Sequence, residues 1–176
     1  MQRFNLHWAG ISRGASGEEN FLNGVKTIYS WSEPFTAEGI LSLNSSVFPE
    51  APGFRATKAQ CLSEAHDPPD AILVERLTAN AVGWFGTEGF DGMNPVEQAT
   101  LVYLRFMDLQ AFAKGNEVMA VLLASYPLIR AGLPPLIFQA TDPRYLAALE
   151  SGFRMLTQHL VNFIAETLAS YPAMEF

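Results

Sequence analysis

Residues 109–135 read LQAFAKGNEVMAVLLASYPLIRAGLPP: the end of one amphipathic helix, a Gly-Asn turn, and a second helix that is almost wholly apolar. A helix that is apolar on nearly every side belongs in a core. Gly115 tolerates positive φ and Asn116 favours a cap position, so the second helix is expected to start at Asn116 or Glu117. A helix start after such a turn presents unpaired N–H groups and the positive end of the helix dipole, a geometry suited to phosphate. Here, however, Glu117 occupies the first turn. It satisfies the dipole from within and repels a polyphosphate, and no lysine or arginine follows until Arg130. Capping preferences therefore favour a plain capped helix over an anion cradle at this turn.

The rest of the chain reads as helices around that pair. Residues 1–17, with Gly10, Gly14 and Gly17, suggest an irregular entry. Helical spacing then runs over 18–31 through Phe21, Leu22, Val25, Ile28 and Tyr29, stopping near Pro34, and again from Thr36 through Ile40, Leu41, Leu43 and Val47 to Pro49. Residues 54–62 alternate weakly and offer the one candidate for a short strand or hairpin. From Asp70 a helix carries Ile72, Leu73, Leu77, Ala81 and Trp84, and a loop follows over 86–93. Asn94 then caps a helix with Pro95 at its first position, whose face of Ala99, Val102, Tyr103, Phe106 and Leu109 leads to the Gly-Asn turn. Pro127 predicts a kink near Leu123 in the core helix. One long final helix is expected from Asp142 to about Ser170, burying Leu146, Leu149, Phe153, Leu156, Leu160, Phe163, Ile164 and Leu168. No repeat or low-complexity tract interrupts this pattern.

The segment from Phe112 to Pro135 resembles the core of the Fic/Doc (Fido) family, whose motif reads His-Pro-Phe-x-Asp/Glu-Gly-Asn-Gly-Arg-x-x-Arg and continues into an apolar helix ending in Ala-Gly-x-Pro-Pro. Phe112, Gly115 and Asn116 match in register, as do Leu122, Leu123 and the run Arg130-Ala131-Gly132-Leu133-Pro134-Pro135. Leu136-Ile137-Phe138 and the stretch from Asp142 to Leu149 resemble the segments that follow. Upstream, Pro52-Gly53-Phe54-Arg55 is similar to a Gly-x-aromatic-Arg signature, and His66-Asp67-Pro68-Pro69 with the next helix is similar to the family's flap and the helix behind it. The resemblance implies an all-α, Fic-like helical bundle carrying at most one short β-hairpin flap. It also implies a single domain over 1–176, with an N-terminal segment at 1–35, a family-like core at 36–165 and a C-terminal end at 166–176. By the same resemblance Lys58, Cys61 and His66 are candidate flap or target contacts, and the family's activity is AMP transfer from ATP with Mg²⁺ to a protein hydroxyl.

The departures from the motif bear on that activity. Gln110 stands where the family has its histidine base, and a carboxamide accepts no proton near neutral pH. Lys114 replaces the Mg²⁺ carboxylate and has no lone pair for a metal. Glu117 replaces the second glycine, and Val118 and Val121 replace the two phosphate-binding arginines. No catalytic residue and no metal ligand is therefore assigned. Gly115 and Asn116 remain as a vestigial anion loop, with Phe112 as motif core, and no cofactor is expected. Residues 15–20 are similar to the end of the family's inhibitory motif at Glu19-Asn20, but Ala15 occupies the hydroxyl position and Val121 that of the partner arginine. Three readings stay open: a non-catalytic protein-binding or regulatory domain, with a protein partner or a second copy as ligand; a divergent transferase that handles a nucleotide or another phosphorylated donor through Gly115 and Asn116, with Lys114 or Gln110 making new contacts; and an all-helical binding domain unrelated to the family.

Composition excludes other classes. The chain has 176 residues, 49% of them hydrophobic, enough for one full core. Eleven basic against eighteen acidic residues give a net charge of −7 without a basic cluster, which argues against nucleic acid. Cys61 is the sole cysteine, so no internal disulfide forms and a cytoplasmic setting is the default. No signal peptide opens the sequence, and no run reaches the roughly 18 apolar residues of a membrane span. His7, His66 and His159 have no partner at ligand spacing. Ser12, Ser16, Ser45 and Ser46 form no Gly-x-Ser-x-Gly elbow.

Overall fold

The computed structural model describes residues 15–31, 35–137 and 142–171. The expectations for residues 1–14, including His7, and for Phe138 lie outside them. Eight α-helices are present among the described residues: α1 (Ala15–Ser30), α2 (Ala37–Val47), α3 (Val74–Phe85), the short α4 (Glu88–Asp91), α5 (Pro95–Leu109), α6 (Asn116–Arg130), α7 (Pro143–Phe153) and α8 (Gln158–Ala169). The molecule is all-α, and no strand occurs among the described residues.

The antiparallel pair α5 and α6 forms the centre. Every residue of α6 from Val118 to Leu128 is buried, as its all-round apolar sequence requires. The helices α1 and α2 pack together, with α1 also against α6, while α3, α7 and α8 cover α5. At the far end from the Gly-Asn turn, an aromatic cluster of Phe35, Phe85, Phe90 and Tyr126 closes the core, with neighbouring rings about 5–6 Å apart at tilted angles that suit their quadrupoles.

Several helix starts follow their sequence signals. Thr36, Asn94 and Asp142 each accept a hydrogen bond from a first-turn N–H, and Pro95 and Pro143 take the first helical positions, where no donor is needed. Four expectations are corrected. First, α1 begins at Ala15, inside the stretch expected to be irregular. Second, the helix after Asp70 opens with a 3₁₀ turn over Ala71–Leu73 and buries Val74, Thr78, Ala81 and Phe85, leaving Ile72 89% and Trp84 43% exposed. Third, the final long helix is two: the N–H of Met155 bonds to Gly152 O and that of Leu156 to Ser151 O, Met155 adopts φ 66°, and Leu146 and Leu156 are exposed. Fourth, residues 54–62 form no hairpin. Phe54 instead makes one antiparallel bridge to Phe112, across the chain, flanked by bonds from Arg55 N–H to Ala111 O (3.0 Å) and from Ala113 N–H to Gly53 O (3.2 Å).

Candidate functional site: the turn between the two central helices

The turn is built from the C-terminal end of α5, whose last carbonyls need partners. Gln110 closes the helix in the left-handed region (φ 43°), and its side chain folds back so that Nε2 donates to Met107 O at 3.0 Å. Arg55 reaches across from the preceding loop. Its Nε donates to Gln110 O (2.7 Å), Nη1 to Thr57 O (2.7 Å), and Nη2 to Pro69 O (2.5 Å) and Leu109 O (3.3 Å). A cation at the negative end of a helix is favourable, and here it also ties two loop segments to α5. Burial pushes the Arg55 pKa down, with Asp70 opposing.

Beyond Gln110 the chain is held by Asn116. Its Oδ1 accepts from the N–H of Phe112 (2.8 Å) and its Nδ2 donates to Phe112 O (3.0 Å), a two-way grip that closes the loop. The Asn116 side chain is thus not the helix cap that its residue type predicts. The cap residue is Gly115, at φ 73°, and no side chain caps α6. The Phe48 ring, at the end of α2, lies directly against Gly115: a Cβ placed there would come within 2.0 Å of Phe48 Cζ. Phe48 is itself only 4% exposed. Lys114 is drawn over the same ring, with Nζ 5.9 Å from its centroid and 2.6 Å from Glu50 Oε1. The hydrogen bond with Lys114 holds the Glu50 carboxyl below the usual range.

The first turn of α6 faces inward. Tyr145 donates to Glu117 Oε1 at 3.3 Å, and the Tyr145 and Tyr103 hydroxyls lie 2.7 Å apart, so three helices meet at one polar chain. Burial raises the Glu117 carboxyl above the ordinary glutamate range, against the opposing hydrogen bond from Tyr145. Burial likewise pushes both tyrosines up, with Glu117 adding to the shift. Val118 and Val121 are 0% and 1% exposed and belong to the core. Three arginines from other segments have partners of their own: Arg55 on the carbonyls at the end of α5, Arg105 with Asp108 (3.1 Å), and Arg144 with Asp142 (2.8 Å) and Glu166 (3.6 Å).

The three residues expected at the flap separate. Lys58 and Cys61 sit on an exposed loop, Lys58 paired with Asp67 at 3.1 Å, and the thiol of Cys61 is free. His66 is 2% exposed, with Nδ1 accepting from Leu62 N–H (3.0 Å) and Nε2 against Asp108 O (2.9 Å), a pattern that the Nε2–H tautomer satisfies. Its ring stacks on Phe153 at 4.5 Å. It fastens the loop to α5 and α7 and has no free edge for a target. Glu19, in the stretch similar to an inhibitory motif, is exposed on α1. Sequence reasoning missed Phe48 and Tyr145 at this site, because both arrive through tertiary contact; Arg55 carried a signal in the Gly-x-aromatic-Arg run. No group of three or more His, Cys, Asp or Glu is placed to hold a metal among the described residues, and two surface cavities lie away from the turn.

No family model matches the chain. In sequence it is 33% identical over 86 residues to the protein adenylyltransferase Fic of Culex quinquefasciatus, covering 49% of this chain and 17% of that one. It is 28% identical over 121 residues to the protein of the same name from Nematostella vectensis, covering 66% and 28%. In structure it superposes on a Fic-domain-containing signalling protein of Bacteroides thetaiotaomicron with a TM-score of 0.78, at 20% identity, covering 87% of this chain and 68% of the other. The chain has the Fic fold. Further Fic-fold neighbours are Fic-1 of Caenorhabditis elegans (TM-score 0.72, 21% identity, 86% and 47% covered) and IbpAFic2 in complex with adenylylated Cdc42 (TM-score 0.71, 19% identity, 90% and 56% covered). The Fic-fold chain spans between about a sixth and a little over a quarter of the length of the two curated relatives. No described helix is long and apolar enough to cross a membrane.

Proposed function

We propose that this Fic-fold domain binds a protein, either a partner or a second copy, through the exposed loop bearing Lys58 and Cys61, and does not transfer AMP. The observation that carries the second half is the Phe48 ring packed on Gly115, which fills the space beside the start of α6. The surrounding chemistry agrees with it. Gln110 cannot take a proton and is folded onto Met107. Lys114 is committed to Glu50, and Val118 and Val121 bring no charge to a phosphate. The protein-binding half is supported by the exposure of Lys58, Cys61 and Leu62, and by the fact that a Fic-fold neighbour, IbpAFic2, forms a complex with Cdc42.

Two measurements test the reading. With labelled ATP and Mg²⁺, neither the domain nor an added protein is expected to acquire label; transfer that disappears in Asn116→Ala would contradict the loss of activity. Because Cys61 is the sole cysteine, a photo-crosslinker attached to its thiol reports what meets the loop. A defined crosslinked protein species, a partner or a dimer, is expected, and a purely monomeric product across the host's soluble proteins would defeat the binding proposal.

A further inference from the structure

A cavity of about 370 Å³ opens on the side of the molecule formed by α3, α5 and the α7–α8 corner. It is lined by apolar groups from all three: Trp84 from α3, Leu101 and Leu104 from α5, Phe153 and Met155 from the corner. Two features set it apart from an ordinary surface dent. Trp84 is 43% exposed although its ring also packs on Phe85 and Phe90, so a large indole is left partly uncovered at the mouth. Met155, 84% exposed, is held at φ 66°, a conformation that L side chains rarely adopt, at the edge of the same space. The size falls in the range of small-molecule sites, which are mostly apolar with a few polar groups fixing orientation.

Those polar groups define the ligand. Arg105 and Asp108, the two charged groups of the lining beside the neutral Asn80 and Thr157, pair with each other at 3.1 Å. Their charges cancel, so the site offers a carboxylate acceptor and a guanidinium donor without a net field, and the chain's net charge of −7 gives an anion nothing to gain. We propose that this cavity binds a small, uncharged, planar aromatic molecule carrying one N–H or O–H donor, its ring against Trp84 and Phe153 and its donor on Asp108. Such a ring gains stacking and apolar contact, and its donor keeps a partner on leaving water. Phe153 and Asp108 also hold His66, by ring stacking and by the main-chain carbonyl, so the site backs directly onto the fastening of the loop that carries Lys58 and Cys61.

The test uses 5-fluoroindole as the probe, read by fluorine NMR on the full chain. A ligand of this size is expected to bind with Kd on the order of 0.1–1 mM. N-methylation of the probe, which removes its donor, is expected to weaken binding about tenfold, and Asp108→Ala to erase that difference. Trp84→Ala is expected to weaken the parent probe about tenfold or more. Met155→Gly relieves the left-handed residue and should fold at least as well as the natural chain, yet bind several-fold more weakly. The anion 4-fluorobenzoate should bind more weakly than 5-fluoroindole. Absence of saturable binding to 10 mM probe, a level about tenfold above the weakest expected Kd, overturns the proposal. Binding unchanged by both Met155→Gly and Trp84→Ala overturns it too.

Discussion

Glu117 carries two opposing demands. It stands in the first turn of α6, where the helix dipole favours a carboxylate, yet its carboxyl is withdrawn from water against Tyr145. Burial wins, and its pKa is raised. The sign of the consequence follows from linkage: the folded state binds the proton more tightly than the unfolded chain, so the stability it contributes is full below about 4.5, the ordinary glutamate value, and is lost as pH climbs through the raised value. Glu117→Gln can still accept from Tyr145 and has no charge to desolvate. The variant is expected to melt close to the natural chain at pH 4 and at a higher temperature than it at pH 7. Thermal melts across that range check it, and a difference that does not change with pH would contradict the assignment.

Between elements, the decisive contact is the end of α2 on the start of α6. Gly115 is required twice over, by its φ of 73° and by the Phe48 ring that occupies the place of a Cβ. Gly115→Ala is expected to cost about 2–4 kcal/mol from strain and overlap combined, measured by urea unfolding. Adding Phe48→Ala should cost less than the sum of the single variants, since the overlap is then gone. The same scale shows which parts of the fold were legible. Helix starts at Thr36, Asn94 and Asp142 were readable because a short polar side chain and a proline act locally. The break at Met155 was not, because the left-handed position is held by a methionine, while the nearby Gly152 lies inside α7 against Leu104. The buried face of α3 was misjudged because Trp84 and Ile72 look like core residues by type, while the packing against α5 selects Val74 and Thr78. Nor could a sequence pattern reveal that residues 53–55 pair with 111–113 instead of with each other.

For the whole molecule, the Fic fold carries at its centre a turn whose side chains are engaged in packing and in bonds to the scaffold. The Gly-Asn pair that carried the resemblance in sequence serves the scaffold: Asn116 locks Phe112, Gly115 admits Phe48, and Arg55 gathers the carbonyls of α5. The departures from the resembled motif could be read directly from Gln110, Val118 and Val121. The contact of Phe48 with Gly115 could not, because Phe48 lies far from the motif in sequence and reaches it only through the packing of α2. The most direct measurement of this account is a calorimetric titration of the domain with ATP in the presence of Mg²⁺. The account predicts no saturable heat, meaning a Kd weaker than about 1 mM, where binding free energy is only about 4 kcal/mol. Saturable binding at micromolar ATP that is abolished by Asn116→Ala would show that the turn still holds a nucleotide and would contradict it.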